Sequence, residues 1–271
     1  MLKWKRLTDN FITIDVARES NGEAFYWTTL YYYKGLVVDT GCPHTAEEAA
    51  DFLEKMELDV KAVLLSHFHE DHCGGAYSFR KRFSVNVFAP SKSIKIIRNP
   101  PEIPQYRQVV WGQPLPVEVK PLKERMKFGE LMVTTIDTPG HSFDHVSFLI
   151  DDKLFIGDMV TNQNPIIIMK QEDYIDLIDS LRTVLSLEFE AAYGGHGIWD
   201  RDSIIRTLAN ILKLREKVST LATEGLSAEQ IVEKVLSNVP KKVLQIEEQS
   251  RFEWSRKNLV ESLLGHMHDG N

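Results

Sequence analysis

The chain has 271 residues, 43% of them hydrophobic, with a formal charge of −7 and a pI of about 5.7. That length can bury a full core, as one large domain or as one domain with an appendage, and the acidic balance argues against a protein that coats nucleic acid or an anionic membrane. The two cysteines, Cys42 and Cys73, imply no disulfide framework. Residues 1–20 lack an unbroken apolar run and no stretch approaches 18 apolar residues, so the expectation is a cytoplasmic protein without export signal or membrane span.

The first third reads mostly as strand. Phe11–Val16, Phe25–Tyr33 and Leu36–Asp39 are rich in aromatic and β-branched residues, and Lys34-Gly35 suits a hairpin turn between the last two. The aromatic stripe Tyr26, Trp27, Tyr31, Tyr32 and Tyr33 is expected to serve core and strand pairing. Thr45 with Glu48 three residues on forms a capping-box pattern, and Ala49, Phe52, Leu53 and Met56 give the apolar stripe of a helix. A strand over 61–66, a helix over 75–83 and a strand over 85–89 follow. Residues 90–116 carry six prolines and read as a surface excursion without regular elements. Between 90 and 130 there are eight Lys and Arg against four Glu, a local excess that would suit an anionic small-molecule substrate.

Strands resume at 131–136, 146–150 and 154–156, with a hairpin turn at Asp151-Asp152-Lys153. Tyr174, Leu177, Ile178, Leu181 and Leu185 mark an amphipathic helix, and 189–193 is a short strand. Beyond His196 the pattern is helical. Ile204, Leu208, Ile211, Leu212 and Val218 form one stripe, Ser227 with Gln230 a second capping box, and 243–267 reads as one further helix. The division expected is a domain over 1–200 and a helical extension over 201–271.

The chemistry concentrates in the run His67-Phe68-His69-Glu70-Asp71-His72, which holds three of the nine His and follows a buried strand pattern. Ligands at the end of a rigid strand are pre-positioned for a metal. Three later strands also end in a candidate ligand: Asp137-Thr-Pro-Gly-His141, Gly157-Asp158 and Gly194-Gly-His196-Gly197. Seven side chains result: His67, His69, Asp71, His72, His141, Asp158 and His196. Imidazole and carboxylate together suit Zn²⁺, with Fe²⁺ or Mn²⁺ as alternatives. One ion does not need seven ligands; two ions, each with three terminal ligands and one shared carboxylate, use them all.

Five ordered motifs resemble the metallo-β-lactamase superfamily: Asp39 in Val-Val-Asp-Thr-Gly, His-x-His-x-Asp-His at 67–72, Thr-Pro-Gly-His at 138–141, Gly-Asp at 157–158 and Gly-His-Gly at 195–197. The resemblance implies an α/β fold, a four-layer αββα sandwich of two mixed sheets, here with a C-terminal helical extension. It implies that His67, His69 and His141 bind one metal and Asp71, His72 and His196 the other, with Asp158 bridging. It further implies that Asp39 holds the ligand loop and that His145 supports the site from behind the ligands. The implied reaction is hydrolysis by a metal-bridging hydroxide, with Asp71 orienting the nucleophile or accepting its proton.

Departures narrow the subfamily. Glyoxalase II enzymes carry a Cys-Gly-rich segment and Gly-His-Glu-Tyr where this chain has Met159–Pro165 and Gly195-His-Gly-Ile198, and homoserine lactonases place a Tyr after the bridging Asp. Flavodiiron oxygen reductases have Glu where His69 stands. The mitochondrial β-lactamase-like endoribonucleases share the His141-x-x-x-His145 spacing, the Gly-His-Gly motif and a helical tail. The expectation is therefore a metal-dependent hydrolase of a small ester or thioester. The alternatives are a phosphodiesterase or endoribonuclease of the same superfamily and a metal-binding interaction protein without turnover; assembly of several chains is left open. Cys42, Cys73 and His44 are expected to be structural. His266 and His268, in the last six residues, are read as a solvated helix end.

Overall fold

The computed structural model describes residues 1–265. By internal contacts the chain forms two compact units. The first comprises 1–137, 144–158 and 189–198. The second comprises 138–143, 159–188 and 199–271. His266 and His268 lie outside the described residues, as does the end of the helix read over 243–267.

The first unit holds two sheets. In the seven-stranded sheet the strands lie side by side in chain order: Leu2–Thr8, Phe11–Val16, Thr28–Tyr33, Leu36–Val38, Ala62–Leu64, Asn86–Ala89 and Lys120–Pro121. The first four pair antiparallel and the remainder parallel. The helices Ala46–Lys55 and Ala76–Phe83 lie in the first two parallel connections. Lys34 and Gly35 turn the hairpin with φ of 48° and 94°, the paired left-handed conformation that a two-residue hairpin demands. The six-stranded sheet runs Arg125–Phe128, Leu131–Asp137, Val146–Ile150, Lys153–Gly157, Ala191–Gly194 and Gly197–Trp199.

Alternation along each strand divides the core in two. Ile12, Ile14, Leu30, Val37, Val63 and Leu65 face one way and pack with Ala49, Leu53, Ala76 and Phe79 of the helices. Phe11, Tyr31, Tyr33, Leu36 and Leu64 face the other way and pack with Val133, Phe148, Phe155 and Tyr193 of the second sheet. Phe11 centres this inter-sheet layer, edge-on to Tyr33, Phe155 and Tyr193 at centroid distances of 5.1, 5.9 and 4.8 Å. Tyr33 Oη and Lys34 Nζ both donate to Asp151 Oδ2, at 2.6 and 2.8 Å, and so tie the hairpin turns of the two sheets together.

The second unit is helical. Tyr174–Leu185 is capped by Asp173, which accepts from the backbone of Ile175 and Asp176, and Arg201–Thr223 by Asp200. Ala228–Val235 starts with the full capping box of Ser227 and Gln230. The last helix, Arg256–Leu264, packs on all three. Its Ser262 hydroxyl accepts from Tyr174 N and donates to Glu172 O. No described helix is long and apolar enough to cross a membrane.

Several expectations change. Thr45 caps no backbone amide; its hydroxyl donates to Cys42 O at 3.2 Å, and Glu48 meets the N-terminal ammonium instead. The proline-rich excursion carries two short helices, Ile94–Arg98 and Gln105–Val110, fitted between its prolines. The helix read over 243–267 is two, Lys241–Gln249 and Arg256–Leu264. Arg251 and Phe252 take left-handed φ of 53° and 63° at the break, and Trp254–Ser255 pairs with Ile168–Met169. Two strands carry too much charge to show an apolar alternation: Leu2–Thr8, an exposed edge strand with Lys3, Lys5 and Arg6, and Arg125–Phe128.

The inter-sheet aromatic layer predicts a large stability effect. Phe155 is fully buried, so Phe155→Ala is expected to cost about 3–5 kcal/mol in urea unfolding monitored by circular dichroism; a loss below about 1 kcal/mol would mean that the layer repacks without a cavity.

Candidate metal centre

The strand Ala62–Leu64 ends in Ser66, His67 and His69, and a single helical turn, Glu70–Cys73, follows at once. This turn places Asp71 and His72 beside the strand end. The parallel pair Lys153–Gly157 and Ala191–Gly194 brings Asp158 and His196 to the same place, with Gly195 N donating to Gly157 O at 2.7 Å. Asp71, His72, Asp158 and His196 each offer a ligand atom, and these atoms lie within 4.8 Å of one another. Three are buried and the His196 side chain is only 10% exposed.

The carboxylate of Asp158 is shared. Its Oδ1 lies 3.1 Å from His72 Nε2 and its Oδ2 3.1 Å from His196 Nε2. Asp71 Oδ2 stands 3.8 and 3.9 Å from the same two nitrogens and accepts from the Thr28 hydroxyl at 3.1 Å.

The opposite ring nitrogens are held by fixed acceptors. His72 Nδ1 lies 2.8 Å from Asp39 Oδ2, and His196 Nδ1 lies 2.9 Å from the Trp27 carbonyl. Each Nδ1 is thereby the donor, which turns the Nε2 lone pair toward Asp158, the arrangement a metal-ligating imidazole needs.

The same logic sets the other pair. The Ser66 hydroxyl donates to Asp39 Oδ2 at 2.8 Å and so accepts from His67 Nδ1 at 2.9 Å. His67 then presents Nε2, which sits 3.0 Å from His69 Nδ1. Asp39 also accepts from Ser66 N at 2.8 Å. It does so from a left-handed backbone, φ 59°. His145 Nε2 accepts from the backbone N–H of Asp158 at 3.1 Å. His141 belongs to the second unit, where it is buried with its Nδ1 3.4 Å from Glu172 Oε2.

Metal fits this donor set on two observations. His72 Nε2 is fully buried and faces the Asp158 carboxylate, so no protein donor occupies its lone pair once the ring is neutral. A Cβ at position 195 would collide with Asp158 Oδ1 and lie 2.5 Å from His72 Cε1; only glycine leaves the ligands their place.

Charge is concentrated here. Burial drives His72 and His196 toward the neutral form, but nearby carboxylates outweigh it: Asp158, Asp71 and Asp39 for His72, and Asp158 and Asp71 for His196. Both imidazoles are raised above their ordinary value. Burial pushes the Asp158 carboxyl up, and His196 and His72 together bring it well below the usual carboxylate range.

Sequence reasoning missed four supports. Ser66 adjoins the ligand run and could have been read from its position. The Trp27 carbonyl, the Thr28 hydroxyl and Glu172 carry no local signal. The aromatic stripe also divides: Tyr31 and Tyr33 are core, whereas Tyr26 is 39% exposed and packs edge-on to the His196 ring at 4.8 Å. Cys42 and Cys73 are buried thiols outside the ligand set, Cys73 donating to Phe68 O.

The profile of the metallo-beta-lactamase superfamily matches residues 33–196, more than half of the chain. The chain belongs to the metallo-beta-lactamase superfamily. Among curated relatives, the thioesterase pkgB of Emericella nidulans is 28% identical over 166 residues, 60% of this chain and 42% of that protein. A hydroxyacylglutathione hydrolase of Vibrio parahaemolyticus is 30% identical over 128 residues, 46% of this chain and 41% of that protein. The chain thus spans less than half the length of these relatives. A metallo-beta-lactamase family protein from Thermus thermophilus superposes with a TM-score of 0.68 at 20% identity, over 96% of this chain and 93% of that one. The fold is the expected α/β sandwich of two mixed sheets with C-terminal helices.

Raised imidazoles make metal uptake pH-dependent in a definite sense. A proton on Nε2 must leave before a cation can bind. Apparent zinc affinity, followed by chelator competition, is expected to fall at least about tenfold between pH 8 and pH 6; a flat profile would contradict the assignment of His72 and His196 as ligands. In the metal-free protein the imidazole–carboxylate pairs act in the opposite direction. Their stabilisation is complete below about 6.5 and is lost as pH rises through the raised folded values.

Proposed function

We propose that the chain is a dinuclear metal-dependent hydrolase acting on a small ester or thioester. The observation that carries this reading is the orientation of His72 and His196: both Nδ1 atoms are committed to carbonyl or carboxylate acceptors, so both Nε2 atoms face one shared carboxylate. In this reading Asp71, His72, Asp158 and His196 would hold one ion, and His67 and His69 would belong to the ligands of a second. Divalent ions held by these ligands, zinc in our reading, would lower the pKa of bound water toward about 7 and polarise an acyl carbonyl. Asp71, kept in place by Thr28, accepts the proton of the nucleophile. Asp39 and Ser66 fix the tautomers, and His145 holds the backbone of Asp158.

The names of the thioesterase and hydroxyacylglutathione hydrolase relatives support acyl over phosphoryl chemistry. The basic segment favours a phosphodiester less than its composition suggests. Arg107 is engaged with Glu70 inside the protein, and Arg98 with Glu118.

The zinc-loaded protein is expected to carry about two ions per chain and to hydrolyse 4-nitrophenyl acetate but not bis(4-nitrophenyl) phosphate. Asp158→Ala is expected to abolish turnover and lower the metal content while leaving the circular dichroism spectrum unchanged. Wild-type turnover in that variant, or cleavage of the phosphodiester alone, would overturn the reading.

A further inference from the structure

Glu70 occupies a position inside the ligand run that binds no metal in our reading, yet it is buried. Its partner is Arg107, on the short helix Gln105–Val110 of the proline-rich excursion. The two side chains meet at 2.6 Å, 4% and 8% exposed. Burial raises the Glu70 carboxyl and Arg107 counters the effect only in part. Packing beneath the excursion is incomplete: a cavity of about 160 Å³ is lined by Phe68, Cys73, Ile97, Pro101, Pro104 and Val117. The ion pair thus ties this strap to the ligand turn, beside Ile97 and Val117, which are buried in the core.

The far end of the strap is held as firmly. The Gln108 carbonyl lies 2.9 Å from His44 Nε2, and the Trp111 carbonyl accepts from His44 N at 3.2 Å. Gly112, φ 98°, approaches so closely that a Cβ would lie 2.9 Å from Pro43. These anchors bring Trp111 against Tyr26, ring centroids 5.9 Å apart at 88°. Tyr26 in turn stands edge-on to His196, 4.8 Å at 70°. Trp111 Nε1–H is buried without an acceptor. Three rings thus run in sequence from a metal-facing imidazole outward. Tyr26 keeps enough exposed surface to receive a ligand.

We infer that Tyr26 and Trp111 form an aromatic wall that selects a planar aromatic acyl group, and that Arg107 is the positioning residue that holds this wall through Glu70. Tyr26 is partly exposed beside the His196 ring, and a planar group gains more from such an aromatic surface than an acetyl group does. The inference rests on the acyl-hydrolase reading above.

The test uses the zinc-loaded full chain and two esters with one leaving group, 4-nitrophenyl benzoate and 4-nitrophenyl acetate. Tyr26→Ala and Trp111→Ala are expected to lower the benzoate-to-acetate ratio of kcat/KM about tenfold with zinc content unchanged. Arg107→Met is expected to lower the same ratio, with Arg107→Lys falling between it and wild type. A purely structural ion pair would reduce both esters alike and leave the ratio intact, which would overturn the positioning role; an unchanged ratio in Trp111→Ala and Tyr26→Ala would overturn the wall. Calorimetric binding of 2-naphthoate separates this inference from the hydrolase reading. If neither ester is turned over, that reading fails. Weaker 2-naphthoate binding to Trp111→Ala than to wild type, by about tenfold, then still upholds the wall, and equal binding overturns it.

Discussion

One carboxylate organises the ligand cluster. Asp39 Oδ2 receives both His72 Nδ1 and the Ser66 hydroxyl, and through that hydroxyl it also determines which nitrogen of His67 carries the proton. Two imidazoles from different ligand groups therefore take their tautomers from a single side chain. Its Oδ1 accepts from the Ser66 backbone, which fixes the carboxylate against the strand end. The left-handed φ of Asp39 is what lets the chain leave Leu36–Val38 and return its side chain beneath the ligand run. A donor set of this kind is preorganised before any ion arrives, since each ring has lost the freedom to present its wrong face.

The fold supplies the platform for that arrangement. Parallel pairing of Leu36–Val38 with Ala62–Leu64 aligns the ends of the two strands, so Asp39 and Ser66 emerge side by side. The parallel pair in the second sheet does the same for Asp158 and His196. Glycines at 157 and 195 keep the approach open where any side chain would collide with a ligand or with His145. The stiffness of the inter-sheet aromatic layer keeps these strand ends in register.

Much of this was legible in the sequence, and the reason is physical. Ligands that follow strands must appear as short polar runs after apolar ones, so His67 to His72, Asp158 and His196 stand out. The interior strands alternate or are wholly apolar and were found within a few residues. What could not be read depends on partners far along the chain. The Trp27 carbonyl that orients His196 is 169 residues away, and backbone atoms leave no residue signature. Charged edge strands such as Leu2–Thr8 have no buried face to impose a pattern. Thr45 matched a capping box by type and spacing, yet its hydroxyl was taken by Cys42 O; the same spacing at Ser227 formed the full box. The role of Glu70 is not legible in the ligand run, because its partner, Arg107, lies 37 residues on.

The central claim is that Asp39 preorganises both ligand groups, and zinc titration of Asp39→Ala tests it most directly, with circular dichroism as the check on folding. The account predicts a folded variant that has lost high-affinity zinc uptake at both groups, because His72 and His67 lose their tautomer control together. A folded Asp39→Ala that takes up zinc with the stoichiometry and affinity of the wild type would contradict it.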